Sequence, residues 1–114
     1  MTIERHEPGE LYSGAVVHRG TIHLCKVADD CTQDVRGQTR QVLAEIDRTL
    51  GLCGGDRTKL LSVVVWLKDI ADFAAMNEVY GAWIDPVEKP ARATVQADMA
   101  GDDILVEIKC IAAR

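Results

Sequence analysis

The nine-residue run "KLLSVVVWL", residues 59–67, sets the tightest limit on how this chain folds. It is almost continuously apolar, rich in valine and too short for most helices, so it reads as a central strand covered on both faces. It stops at Lys68-Asp69. Such a strand needs hydrogen-bonding partners on both sides and packing layers above and below, and the rest of the chain has to supply them.

Two strands are expected first, in "GAVVHRGTIHLCKVADD", joined by a short turn at His18-Arg19-Gly20 and rich in β-branched residues on both sides. Asp34 is a plausible N-cap for "VRGQTRQVLAEIDRTLGL", where Val35, Thr39, Val42, Leu43, Ile46 and Leu50 recur every three or four residues. Gly51 and the pair Gly54-Gly55 end that helix. After the central strand, Asp69 can cap a second helix, "IADFAAMNEVYGAW", with Ile70, Phe73, Met76 or Asn77, Tyr80 and Trp83 at helical spacing and Asp85-Pro86 as its breaker. Trp66, Trp83, Phe73 and Tyr80 read as core packing. "ARATVQAD" and "ILVEIKCIA" then look like a closing hairpin through "MAGDD".

The order ββαβαββ predicts an α+β domain spanning residues 1–114, a mixed sheet with both helices on one face. The second apolar face would be open to water, so another copy of the chain is expected to bury it, leaving clefts between subunits where small ligands bind.

With 13 basic and 18 acidic side chains the net charge is −5, and no basic cluster interrupts it, which disfavours nucleic acid and anionic lipid as partners. The first residues, "MTIERHEPGE", carry charges where a secretory signal needs an apolar core, and no stretch is apolar for long enough to cross a bilayer. A cytoplasmic protein is the expectation, with a loose N-terminus around His6. Cys25, Cys31, Cys53 and Cys110 form no metal-ligand spacing and suit a reducing compartment, so no metal is expected. His6, His18 and His23 lack a partner at a telling spacing and are read as structural.

Two charges stand where packing is expected. Arg92, in "PARATV", enters its strand behind a proline, near the sheet edge, and its planar guanidinium is a fork for a carboxylate. Glu107 sits in the middle of the apolar "ILVEIKCIA", where an ionised carboxylate is costly unless a cation or a water needs it. A salt bridge from Arg92 to a nearby acid is the plainer alternative, and on paired strands Arg92 and Glu107 would even neutralise one another.

The stretches "GQTRQVLAEID", "WLKDIADFAAMNEVYGAWID", "PARATV" and "LVEIKCIAAR" together resemble the RidA (YjgF, enamine/imine deaminase) family in order and spacing, along nearly the whole chain. The resemblance implies a chorismate-mutase-like fold, a homotrimer with a central β-barrel, and three clefts between neighbouring subunits. It implies hydrolysis of reactive 2-imino and 2-enamino acids to 2-keto acids and ammonia, with neither metal nor organic cofactor. Carried over by residue, Arg92 is the clamp on the substrate carboxylate and Glu107 the acid beside the hydrolytic water. Tyr12 lines the same cleft, Thr94 stands where many members have cysteine, and Cys25 falls near a pocket serine.

One departure is the rim "LCKVADD", one residue shorter than related chains and without their glycine. It could reshape the cleft, with Lys26 either solvated or a second cation for a diacid. A non-catalytic homotrimer that binds small keto acids is therefore the alternative.

Overall fold

The computed structural model describes residues 2–114. Along the chain run β1 (Glu4–Pro8), β2 (Ser13–His18), β3 (Thr21–Val27), α1 (Val35–Leu52), β4 (Leu60–Leu67), α2 (Phe73–Ile84), β5 (Ala91–Gln96) and β6 (Val106–Ala113). They build one six-stranded mixed sheet in the order β1-β2-β3-β6-β4-β5, in which only β4 and β5 run parallel. Two helices pack on it, the α+β arrangement expected from the spacing.

Side-chain alternation shows which face they cover. In β4, Val63, Val65 and Leu67 are buried while Ser62, Val64 and Trp66 are only half-buried. In β6, Val106, Ile108, Cys110 and Ala112 are buried and Glu107, Lys109 and Ile111 are not. The buried set meets α1, whose Val35, Val42, Leu43, Ile46 and Leu50 are buried as their spacing predicts. Each of these aliphatics contributes roughly 1.5–3 kcal/mol by leaving water. The expectation that β4 is covered on both faces therefore holds for one face only within a single chain.

Three further expectations change. The closing hairpin does not form: β5 pairs in parallel with β4 at the sheet edge, and β6 inserts between β3 and β4. A parallel neighbour needs a long crossover, and α2 supplies it, whereas the turn at "MAGDD" only bends the chain, with Ile104 N donating to Gly101 O at 3.2 Å. The terminus around His6 is not loose but forms β1, paired with β2 from Glu4↔Val17 to Pro8↔Ser13. Its composition gave no strand signal because both faces of this edge strand are largely exposed. Last, Asp69 caps a single 3-10 turn, Ile70–Asp72, by accepting from Ala71 N at 2.9 Å, and α2 proper starts at Phe73.

The loop before β6 is anchored by a buried glutamine. Gln38 of α1 donates to the carbonyls of Asp103 (2.9 Å), Gln33 (3.1 Å) and Cys31 (3.3 Å), and accepts from Leu105 N at 3.0 Å. A fully buried amide is tolerated because these bonds satisfy it. The bond to Leu105 fixes where β6 begins, and so where Glu107 lies.

Asp34 caps α1 as expected, its carboxylate accepting from Gly37 N at 2.8 Å. Asp34→Ala should lower stability by about 1 kcal/mol, the usual worth of such a cap, seen as a lower urea midpoint at unchanged slope.

Candidate functional site

A cavity of about 880 Å³ opens where two strands part. Pairing between β2 and β3 runs only from His18↔Thr21 to Val16↔His23. Beyond it β3 stays on β6 as far as Val27↔Glu107, while Ser13 stays on β1 opposite Pro8. Tyr12, Ser13, Cys25, Lys26 and Glu107 all line the resulting cleft.

Cys25 and Glu107 meet there directly. Register places Cys25 opposite Lys109 and Glu107 opposite Val27, so Cys25 and Glu107 are diagonal neighbours, within reach of longer side chains. The Cys25 thiol donates to Glu107 Oε2 at 3.1 Å. Burial, then that hydrogen bond and the carboxylate charge, push the thiol up to about 12, with Lys109 and Lys26 opposing. Among the described residues Glu107 Oε1 has no hydrogen-bond partner. Tyr12 is 79 % exposed and Leu11 91 % exposed, so this wall of the cleft has nothing packed on it in a single chain. Trp66 is not core: it sits opposite Glu107 in register, and the two line a smaller cavity of about 200 Å³ together with the loop after β5.

Arg92 lies elsewhere. Its register partner is the buried Val63, which places its side chain on the helix-covered face of the edge strand β5. There Arg92 Nη1 donates to Asn77 Oδ1 at 2.7 Å, and the guanidinium carbon stands 4.8 Å from the Tyr80 ring centroid and 5.8 Å from that of Phe73. Cation–π contacts with two rings and one amide bond hold the group in place while most of its five donors stay unused. It makes no ion pair among the described residues, so the plainer salt-bridge reading fails. Thr94 shares that face, two residues on, and its buried hydroxyl has no hydrogen-bond partner.

Within one chain the expected residues thus fall into two groups on opposite faces of the sheet: Arg92 and Thr94 on one, Tyr12, Cys25 and Glu107 on the other. Mutual neutralisation of Arg92 and Glu107 is ruled out by that separation. Sequence reasoning missed Asn77 as the partner of Arg92, although a polar residue beside Met76 in an apolar stripe was the available signal. Phe73 is 39 % exposed because it flanks the guanidinium rather than the core. No cluster of three metal-ligating side chains occurs among the described residues, and no helix is long and apolar enough to cross a membrane.

The fold is a two-helix α+β domain on a mixed six-stranded sheet, with the expected site residues divided between its two faces. The family model for endoribonuclease L-PSP matches residues 2–114. The RutC family protein YoaB of Escherichia coli is 36 % identical over 113 residues, covering 99 % of each chain. The crystal structure of NMB1025 from Neisseria meningitidis, a YjgF family member, superposes with a TM-score of 0.96 at 39 % identity, covering 100 % of this chain and 96 % of that one. A putative translation initiation inhibitor from Salmonella typhimurium gives 0.92 at 34 % identity, over 99 % and 98 %. The chain belongs to the endoribonuclease L-PSP family, the group that includes the RutC, YjgF and Rid proteins.

The far wall of the cleft is latched. Arg48 of α1 binds Glu7 through two bonds of 3.0 Å and Glu45 through bonds of 2.9 and 3.0 Å. Glu7 takes a left-handed φ of 52°, and a Cβ on the facing Gly14 would lie 2.8 Å from Glu7 Oε1, so any larger residue there would push the Glu7 side chain out of the latch. The Arg48 hydrogen bonds hold both carboxyls below their ordinary range, so the latch is intact above that range and lost as pH falls through the lowered values. Arg48→Ala at neutral pH, or the wild type on acidification from pH ~6 to ~3, should lose amide protection in Glu4–Pro8 while β6 keeps its own, as hydrogen exchange would show.

Proposed function

We propose that the protein is an enamine/imine deaminase, hydrolysing small 2-imino acids to 2-keto acids and ammonia in clefts completed by a neighbouring copy. The observation carrying this reading is the placement of Arg92 and Glu107 on opposite faces of one sheet. A clamp and a hydrolytic carboxylate so divided serve one ligand only if β5 of one subunit meets the cleft of the next. The half-buried face of Ser62, Val64 and Trp66 is the surface a homotrimer would cover.

The free donors of Arg92 would take both oxygens of the substrate carboxylate. The C2 carbon of a protonated imine is electrophilic, and Glu107 Oε1, free of other bonds, would orient a water towards it. Water adds at C2 and its proton passes to Glu107. Glu107 returns that proton to the amino group, and the amino alcohol collapses as its hydroxyl gives its own proton to the carboxylate, expelling ammonia, which carries that proton away, and leaving the 2-keto acid. A negative pole at Glu107 also stabilises the iminium on the way in. Cleavage of RNA is disfavoured by the same carboxylate, which repels a phosphodiester. The second reading, keto-acid binding without turnover, is favoured only by Lys26 standing in the cleft wall.

With 2-aminoacrylate released from serine by a dehydratase, the protein should speed pyruvate formation, and Arg92→Ala should lose about 100-fold, near the ~3 kcal/mol of a charge-assisted contact. Co-expressing Arg92→Ala with Glu107→Gln should restore up to about a quarter of wild-type activity, the statistical share of clefts receiving both intact residues. No restoration would overturn a cleft shared between copies, and no acceleration by the wild type would leave keto-acid binding as the function.

A further inference from the structure

Cys25 lines a cleft meant for an electrophile, and it stands beside two cations, Lys26 next to it on β3 and Lys109 opposite it on β6. Cations favour a thiolate, and a thiolate there would compete with water. Adding to C2 of an imine, it would form an S–C bond, push the π pair onto nitrogen, which takes a proton from solvent, and leave a hemithioaminal fixed to β3. Five acids line the cleft against these cations, Glu107 in direct contact and Glu7, Glu10, Asp29 and Glu45 in its walls, with Arg48 a further cation that is paired to Glu7 and Glu45. Tyr12 is the remaining titratable neighbour in the same wall.

We propose that Glu107 also restrains Cys25. By accepting the thiol hydrogen bond on Oε2, it keeps that sulfur an inert thiol, so that the sulfur does not compete with water for a ligand in the cleft. The geometry divides the carboxylate between two roles. Oε2 is committed to sulfur at 3.1 Å, and Oε1 is left for water. The raised position of the thiol agrees with this, burial being its largest cause and Glu107 the next. A serine at this position would have offered a similar bond without a nucleophile to restrain, so the restraint is a property of this chain's cysteine. Why inertness matters rests on the imine-hydrolysing reading; the restraint itself does not.

Alkylation by iodoacetamide tests it, because a neutral probe is indifferent to the loss of Glu107's charge. Modification is followed at each cysteine by peptide mass spectrometry, with Cys25→Ser confirming the assignment. In the wild type, labelling of Cys25 should climb only above pH ~10, beyond the ~8.5 of an ordinary thiol. In Glu107→Gln the profile should move to lower pH. For each pH unit it moves, the thiolate fraction rises about tenfold and its nucleophilicity falls about threefold, so Cys25 should label at least about threefold faster at pH ~8. Cys53 and Cys110, both buried, should stay unlabelled and report an intact fold. Equal labelling in the two proteins overturns the proposal. If Glu107→Gln exposes Cys53 and Cys110, Glu107→Asp, whose shorter side chain withdraws the carboxylate from sulfur, decides in its place: faster labelling of Cys25 than in the wild type upholds the proposal, and equal labelling overturns it. The assay uses no substrate, so its outcome is independent of whether the protein turns over imines.

Discussion

Everything at the site depends on β6 lying between β3 and β4. Hydrogen bonded on both sides, from Val27↔Glu107 on one edge to Trp66↔Glu107 on the other, this strand holds its carboxylate in a fixed position. A carboxylate on a loop would relax towards the nearest cation, but one in the middle of a sheet cannot. Gln38, closing the loop ahead of the strand, fixes the register from the helix layer. The same insertion pushes β5 to the sheet edge, and an edge is where an arginine can face outward and still be held by a helix.

The two poles are stabilised by different physics. Arg92 rests on aromatic faces and one amide oxygen, none of which cancels its charge. Glu107 is met by one thiol, a weak donor, on Oε2 alone. Neither pole is neutralised by the other, and both keep unused hydrogen-bonding capacity.

Much of this was legible in the residues. The apolar stripe of α1, its Asp34 cap and the valine-rich β4 have strong local signals, and they appear where spacing puts them. Arg92 and Glu107 were conspicuous because charge sat in apolar runs. Pairing was not legible: the turn chemistry of "MAGDD" suits a hairpin, and only competition with the non-local β3 and β4 edges sends β6 elsewhere. β1 was hidden for a related reason, since an edge strand exposed on both faces has no alternation to read; its ties, Glu4 to Arg114 and Glu7 to Arg48, come from distant parts of the sequence. Trp66 misled because an aromatic in an apolar strand looks like core whichever face it takes.

Placing the C-terminal strand at the middle of the sheet also has a consequence during synthesis. Until residues 106–113 leave the ribosome, β3 and β4 each present a bare inner edge, and such edges recruit other chains. The sheet is then two halves waiting for a keystone, and the nascent chain is vulnerable until that strand has emerged. Protease resistance of stalled nascent chains, low before that strand emerges and high after, would register the moment of closure.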